Sequence, residues 1–352
     1  MLKVSDKNLL IVNNFMDVSH PTLAHQSEIA LALTPNFNKV YILTEEISGI
    51  SVPPNTEIFI YASKIDFLPF KIIKFFVLFL YLTSTKRVNV VFSHMSSRHS
   101  AIMGPILRAW GKKHVLWYAH KSKPLTLLLS YVFVDKLVSS TKGSCPIEGS
   151  KVLYIGQSIN EAHFELKYAS NSPIRNLVHV GRFDPSKNIS LILASFVELR
   201  RIYPDIYLTI IGDPSDTKSI RHKELLSAKY ADHLNQGLIT FMPSVQRVNV
   251  GKVLANFDLF VHAFRGSLDK TLLEATLVGL PVATLNSEYT SEFGNWCMDD
   301  ANQDDLKKEL LCLMKIPLKN QNDEILRRRN LVLENHTLSR WIEELTNILN
   351  SN

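Results

Sequence analysis

Cysteine is scarce in this 352-residue chain, and its scarcity limits the classes of protein to consider. The three cysteines, Cys145, Cys297 and Cys312, are odd in number and match no metal-ligand spacing. This argues against a disulfide framework and against a zinc module, so a reducing cytoplasm is the expected compartment. Mixed charges precede a short apolar strand that begins at Leu9, and no secretory signal is therefore expected.

Acidic residues are absent from Phe67 to Val134, although the chain as a whole contains 33 of them. The net charge is +6, and ten cations lie in this one segment, so the rest of the chain is net negative. One face of one domain is expected to be cationic. Nucleic-acid binding is not expected, because no helix-turn-helix, zinc pattern or stacking motif accompanies the charge. The ten cations are Lys71, Lys74, Lys86, Arg87, Arg98, Arg108, Lys112, Lys113, Lys121 and Lys123.

Long apolar runs are missing as well. The most apolar stretch, Phe70–Leu82, is shorter than the roughly 20 residues that span a bilayer. One interpretation is a helix buried inside an α/β domain. The other is a peripheral anchor, in which Phe and Leu enter the headgroup region while Lys71 and Lys74 meet anionic lipid. An anionic membrane surface is thus a candidate partner.

Strands and helices alternate along the chain, which predicts an α/β protein with parallel sheets. With 46% hydrophobic residues the chain can bury two cores of ordinary size. A linker around residues 160–173 separates the two predicted domains.

The segment from Ser267 to Val282 is the most informative in the sequence. It predicts a loop, a short helix that carries Glu274, and a strand that begins at Pro281, with Gly279 as a left-handed helix cap. The helix N-terminus faces the loop at Gly266–Ser267 and favours an anion. A carboxylate near the first turn can bind a sugar diol. A nucleotide sugar contains both an anionic diphosphate and a sugar diol. The alternative is that Glu274 is only an acid that the helix dipole favours near the helix N-terminus.

A second segment carries two cations. The apolar strand Asn176–Val180 is followed by a turn-rich loop with Gly181, Arg182 and Lys187, and then by the predicted helix Ile189–Arg200. Ligands of open α/β sheets bind at the carboxyl ends of strands. A planar Arg fork and a flexible Lys at such a place suit a diphosphate. The alternative is a pair of solvated loop cations.

These motifs resemble the retaining glycosyltransferases of family 4. The loop Gly181-Arg182 with Lys187 is similar to the family's glycine-arginine…lysine loop, and Leu273-Glu-Ala275 with Gly279-Leu-Pro-Val282 looks like its glutamate helix. The segments Asp205–Asp213 and Asn256–His262 resemble the intervening strands. The segments beginning at Trp117, Val134 and Tyr154 follow the family's order.

The resemblance implies a GT-B fold, with two Rossmann-like domains that face each other across a cleft. Residues 1–160 would form the acceptor domain, to which a terminal helix in residues 337–352 returns, and residues 161–336 would form the donor domain. It also implies a nucleoside diphosphate sugar as donor, a glycan or lipid-linked saccharide as acceptor, and no cofactor. No acidic metal pair is evident, so Arg182 and Lys187 are expected to replace a divalent ion.

The resemblance also implies roles for individual residues. His120 follows the strand Val115–Ala119, where the family places a histidine near the reacting sugar; taken alone, such a histidine is more often a loop hydrogen-bonder. The predicted catalytic residues are His120, Arg182 and Lys187, and His20, His25 and His94 are predicted on the acceptor side. The predicted donor-binding residues are Gly181, Arg182, Lys187, Gly266, Ser267, Leu268, Asp269, Lys270 and Glu274.

One departure from the family pattern is clear. Members commonly carry two glutamates separated by seven residues, and the position of the first is Gly266 here. Asp269 and Lys270 supply charge close by. Two other functions therefore stay open: a nucleotide-sugar epimerase of the same fold, and a catalytically silent nucleotide-sugar-binding protein.

Overall fold

The computed structural model describes residues 4–18, 24–62, 67–167, 173–296 and 305–351. The chain divides into two compact units: unit 1 is Met1–Ser158 with Leu338–Asn352, and unit 2 is Ile159–Thr337. Each unit contains its own parallel β-sheet.

Unit 1 is built on a seven-stranded parallel sheet in the order β5-β3-β1-β6-β7-β8-β9, and β2 pairs with β4 in a small separate sheet. The strands are β1 Ser5–Val12, β2 Phe15–Asp17, β3 Phe37–Thr44, β4 Glu46–Ser48, β5 Thr56–Ile60, β6 Val90–His94, β7 Lys113–Trp117, β8 Lys136–Ser139 and β9 Val152–Tyr154. The helices are α1 Ala24–Leu33, α2 Leu68–Thr85, α3 Ser97–Ala109 and α4 Leu125–Phe133.

Strand β1 explains why both faces of this sheet are covered. Leu9 and Ile11 belong to one buried cluster, and Leu10 and Val12 to another. Successive side chains of a strand point to opposite faces, so four consecutive apolar residues require packing on both sides.

Unit 2 has a five-stranded parallel sheet in the order β12-β11-β10-β13-β14. The strands are β10 Asn176–Val180, β11 Tyr207–Ile211, β12 Ile239–Met242, β13 Leu259–His262 and β14 Val282–Thr284. The helices are α5 Ile189–Arg200, α6 Thr217–Lys229, α7 Ala231–Asn235, α8 Arg247–Leu254, α9 Lys270–Val278, α10 Ser287–Phe293, α11 Leu306–Lys315 and α12 Leu318–Asn335.

The last helix, α13 Leu338–Asn350, belongs to unit 1. Its Trp341 is fully buried and makes edge-to-face contacts with Trp117 and Phe92, whose ring centroids lie 5.0 and 6.3 Å away. Leu345 and Leu349 complete the buried stripe. The predicted return of the terminal helix to the first part of the chain is confirmed.

Helix α2 contains Phe70–Leu82 and is buried on one face only. Phe75, Phe79, Leu82 and Thr83 are buried, whereas the opposite face is in solvent. The helix has 18 residues and is long and apolar enough to cross a membrane by length and composition alone, with 22% of it buried. Because one face packs in the core of unit 1, we describe it as an amphipathic helix of this unit.

The cysteines differ from expectation at one position. Cys145 is a buried free thiol. Cys312 is disulfide-bonded, which the sequence did not predict. Cys297 lies outside the described residues.

Candidate functional site

The sheet of unit 2 reverses its strand order between β10 and β13, which are neighbours although β11 and β12 follow β10 in the chain. The loops after these two strands leave the same edge of the sheet. Such a reversal point is where open α/β sheets bind ligands. These loops hold most of the predicted donor-binding residues.

The loop after β10 is fixed by close backbone contacts. The Gly181 amide donates a hydrogen bond to the Ile211 carbonyl at 2.9 Å. A Cβ atom on Gly212 would lie 2.0 Å from the Gly181 carbonyl oxygen, and one on Gly181 would lie 2.8 Å from His179 Nε2. Only glycine fits at these two positions, because larger residues would push the loop off the sheet.

Arg182 extends from this loop with 46% of its side chain exposed. Its Nη2 atom lies 3.0 Å from Asp184 Oδ2. Ser215 and Ser219 each donate a hydrogen bond to Asp184 Oδ1 at 2.6 Å. Burial alone would raise the pKa of Asp184, but these two hydrogen bonds and Arg182 together lower it. The carboxylate thus anchors a guanidinium that still faces solvent.

Lys187 lies at the end of the same loop, just before α5, and is 14% exposed. Its ammonium group pairs with Asp269 Oδ2 and lies 4.3 Å from the centroid of the Phe264 ring. Asp269 is the N-cap of α9 and accepts a hydrogen bond from the Thr271 amide. The loops after β10 and β13 are therefore joined by a largely buried ion pair.

A hydrogen-bonded chain supports this pair from behind. His262 is fully buried; its Nε2 donates to Asp269 Oδ2 at 3.3 Å, and its Nδ1 accepts from the Thr284 hydroxyl at 3.1 Å. Burial lowers the pKa of His262, so the ring is neutral, as these two bonds require. Burial by itself would raise the pKa of Asp269, but Lys187 and His262 hold it well below its ordinary value.

Gly266, at the position where the family resemblance implies a first glutamate, packs against the ring of Phe264. A Cβ atom on Gly266 would lie 1.9 Å from the tip of the Phe264 ring. The buried Asn286 side-chain amide donates to the carbonyl oxygens of Phe264, Gly266 and Ser267 at 3.1–3.3 Å. The loop is thus fixed around an aromatic ring that leaves no room for a side chain at residue 266.

Glu274 lies in the second turn of α9 and is 2% exposed. Its Oε1 atom lies 2.7 Å from Nη2 of Arg247, the first residue of α8, whose side chain is 13% exposed. Carboxylate oxygens are hydrogen-bond acceptors, so the Glu274 side chain can accept hydrogen bonds from a diol.

The remaining predicted donor residues differ in their accessibility. The Leu268 side chain is 2% exposed and belongs to the core, so only its backbone is available to a ligand. Ser267 and Lys270 are half-buried, and Lys270 is the first residue of α9.

The predicted histidines lie in unit 1. His120 is exposed after β7, and its Nδ1 accepts a hydrogen bond from the Ser122 amide at 3.0 Å. His25 and His94 lie together, with ring centroids 5.5 Å apart, and His94 is 1% exposed. His20 lies outside the described residues.

Sequence reasoning missed Arg247, His262, Phe264 and Asn286. His262 could have been predicted as a site residue, because it ends a strand at the same sheet edge as Gly181. Arg247 could not have been predicted. It pairs with Glu274 on another helix, and helical periodicity does not predict contacts between helices.

The comparisons with known proteins agree with this geometry. Residues 174–315, which lie in unit 2, match the family model described as glycosyl transferases group 1. No curated protein matches the sequence significantly.

Solved structures show the fold of the whole chain. HepE of Anabaena in complex with UDP and glucose is 11% identical, with a TM-score of 0.72, and the match covers 98% of this chain and 99% of that one. Sucrose-phosphate synthase of Thermosynechococcus elongatus is 12% identical, with a TM-score of 0.76 and coverage of 97% and 98%. WaaG, a glycosyltransferase involved in lipopolysaccharide biosynthesis, is 14% identical, with a TM-score of 0.67 and coverage of 98% and 100%. The predicted GT-B fold is confirmed.

Proposed function

We propose that the protein is a retaining glycosyltransferase of family 4, which transfers a sugar from a nucleoside diphosphate sugar to a hydroxyl acceptor. The observation that carries the proposal is the position of Arg182 and Lys187 in the loop after β10, where Lys187 pairs with Asp269, the N-cap of α9. Arg182 keeps about half of its side chain in solvent. UDP or GDP is the expected nucleotide, and the HepE complex with UDP supports the first choice.

In the reaction, the bond between the anomeric carbon and the diphosphate oxygen breaks, and a bond to the acceptor oxygen forms on the same face of the sugar. The acceptor proton passes to a phosphate oxygen. Negative charge grows on the departing diphosphate, where Arg182, Lys187 and the amides of residues 266–268 would stabilise it. Glu274 would bind the ribose diol, and His120 would support the reacting sugar.

Arg182 and Lys187 would neutralise the diphosphate in place of a divalent ion, because each can form charge-assisted hydrogen bonds with phosphate oxygens. Turnover should therefore continue in the presence of a chelator. Loss of turnover in the chelator, with recovery on addition of Mg²⁺ or Mn²⁺, would contradict this part of the proposal.

A glycan or lipid-linked saccharide of cell-surface polysaccharide synthesis is the proposed acceptor, with His25 and His94 on its side of the site. The enzyme would act in the cytoplasm, peripherally on the inner face of the membrane. Support comes from WaaG, which shares the fold and is involved in lipopolysaccharide biosynthesis.

Calorimetric titration with UDP, GDP and ADP tests the donor site directly. Arg182→Ala should weaken binding of the preferred nucleotide by about 1.5–3 kcal/mol, the value of a charge-assisted hydrogen bond. Arg201→Ala is the control, because Arg201 is an exposed residue at the opposite end of α5. Equal affinities of wild type and Arg182→Ala would remove Arg182 from the site.

Product analysis separates the alternatives. A retaining transferase yields a product with the donor's anomeric configuration, which NMR can determine. An epimerase would convert the donor without an acceptor and give a new sugar nucleotide. A silent binding protein would bind nucleotide and leave every donor unchanged.

A further inference from the structure

Unit 1 contains a cavity of about 930 Å³ that no donor-binding residue lines. Its inner end is formed by Asn14 and Phe15, which follow β1, and by Met95 and Ser96, which follow β6. Strands β1 and β6 are neighbours at the point where the sheet of unit 1 reverses its order. The cavity thus opens at the ligand-binding edge of this sheet and has the size of a small-molecule site.

The outer part of the cavity is apolar and lies between two helices. Leu68 and Ile72 of α2 and Leu129 of α4 line it, and they are 63%, 44% and 46% exposed. The apolar surface continues outside the cavity over Ile73 and Leu125, which are 58% and 70% exposed. Contiguous exposed apolar surface of this kind marks a binding surface for apolar ligands, membranes or partner proteins.

The inner part carries polar groups. Tyr61 is 2% exposed and lines the cavity, and its hydroxyl has no hydrogen-bond partner within the described part of the chain. A buried hydroxyl without a partner is unfavourable, so a ligand acceptor atom at this place would stabilise the complex. His99, which hydrogen-bonds Ser96, lies with its ring centroid 5.2 Å from that of Tyr61.

Charge indicates the sign of the ligand. Lys71, Arg98 and Glu45 also line the cavity, which is two cations and one carboxylate. Lys71 pairs with Glu45 at 2.6 Å, whereas Arg98 is exposed and lies in the segment without acidic residues from Phe67 to Val134. An amphiphile with an anionic head and a hydrocarbon chain matches this arrangement of cations, buried hydroxyl and apolar walls.

We propose that this cavity binds the phosphate and the first part of the hydrocarbon chain of a lipid-linked acceptor, with the chain leaving between α2 and α4. The assignment rests on the proposed transferase function, since it names the class of acceptor. The phosphate would lie near Arg98 and accept a hydrogen bond from Tyr61. The chain would pass along Ile72 and Leu129.

Alkyl phosphates of six to twelve carbons, each below its critical micelle concentration, are suitable probes for calorimetry on the full chain. Affinity should rise about fourfold for each methylene that enters the cavity, which corresponds to about 0.8 kcal/mol. Inorganic phosphate should bind far more weakly. Affinity that does not depend on chain length would overturn the proposal.

Two substitutions on the same helix separate the cavity from the surrounding surface. Ile72→Asp should abolish the dependence on chain length. Val77→Asp is the matched control, because Val77 is 59% exposed on α2 but does not line the cavity. Equal effects of the two variants would assign the apolar surface to non-specific adsorption. Tyr61→Phe should weaken binding of every probe by the same factor and preserve the chain-length dependence.

Other occupants give different results. Complete displacement of dodecyl phosphate by phosphatidylglycerol vesicles would assign the cavity to membrane phospholipid and overturn the acceptor assignment. Dimerisation that Ile72→Asp abolishes, without binding of alkyl phosphate, would assign the surface to a second copy of the chain. UDP titration distinguishes the two proposals. Ile72→Asp should leave UDP affinity unchanged. A wild type that binds no nucleotide but still binds alkyl phosphates would contradict the transferase function, and with it the acceptor role of the ligand, but not the binding of an anionic amphiphile in the cavity.

Discussion

The ammonium group of Lys187 pairs with the carboxylate of Asp269, the residue that caps α9. Lys187 comes from the loop after β10, and Asp269 from the loop after β13. Each side chain is only 14% exposed, so neither charge is well hydrated. A diphosphate that binds Lys187 would approach a cation already held in place.

The first prediction concerns the stability that this pair provides. Asp269→Asn should lower the free energy of unfolding by about 3 kcal/mol, because a buried ammonium would lose its counter-charge. Lys187→Met in the Asp269→Asn background should cost much less than in the wild type. Urea denaturation of the wild type, the two single variants and the double variant measures the coupling free energy between Lys187 and Asp269. The control is Glu148→Gln, whose partner Lys142 lies 3.5 Å away with both side chains 75% exposed, and which should change stability by less than about 0.5 kcal/mol.

The second prediction concerns Gly266. Gly266→Ala should destabilise the protein by about 1–3 kcal/mol, because the new methyl group overlaps the Phe264 ring. Phe264→Leu should reduce this cost when it is combined with Gly266→Ala. Thermal denaturation of the two single variants and the double variant tests the contact. Additive effects would show that the ring is not what excludes a side chain at residue 266.

The third prediction concerns Glu274. Glu274→Gln should weaken binding of the nucleoside diphosphate by about 1.5–3 kcal/mol, because a charge-assisted hydrogen bond to the ribose is lost. Binding of pyrophosphate should be nearly unchanged, since pyrophosphate has no ribose. Calorimetry with both ligands makes the comparison in one protein. Equal losses would show that Glu274 serves only as the partner of Arg247.

The fourth prediction concerns pH and His179. Burial lowers the pKa of His179 to about 3, so between pH 6.5 and 3 the unfolded chain binds a proton that the folded chain does not. Stability should therefore fall as the solution becomes more acidic. Between pH 7.5 and 5.5 this histidine alone should account for roughly 1 kcal/mol. His179→Asn should show a correspondingly shallower pH dependence of the unfolding free energy, whatever its absolute stability.

The fifth prediction concerns anionic membranes. Binding to vesicles should rise with the fraction of phosphatidylglycerol and fall with added salt, because exposed charges are screened. Lys71 and Lys86 pair with Glu45 and Glu57, so these two cations contribute less than the sequence suggests. Replacing Arg98 and Arg108 by serine should weaken co-sedimentation more than replacing Lys71 and Lys86. Equal weakening by the two pairs would contradict this ranking.

Local signals predicted several elements correctly. The strand Asn176–Val180 and the helix Ile189–Arg200 have the predicted bounds, because turn residues border both. Gly279 ends α9 with a φ of 90°, as expected of a glycine cap followed by proline. These features depend on neighbouring residues in the sequence, which is why the sequence predicts them.

Contacts between distant residues could not be predicted in the same way. The sequence shows that a glutamate is missing at Gly266, but not that the Phe264 ring occupies the space. The sequence shows ten cations in a segment that contains no acidic residue. It does not show that Glu45 and Glu57, which lie outside that segment, form ion pairs with Lys71 and Lys86. The cavity beside Tyr61 depends on three helices and four strand ends, and no single segment predicts it.

Helix α13 affects how the protein is made. Unit 1 contains the first part of the chain, yet its core includes Trp341, which the ribosome adds after the whole of unit 2. Domains usually fold in order of synthesis. Here the first unit leaves the ribosome with the apolar site for Trp341 uncovered around Trp117 and Phe92, and the site stays uncovered until α13 has been synthesised. Truncation of the chain before Trp341 would thus damage the part of the protein that was synthesised first.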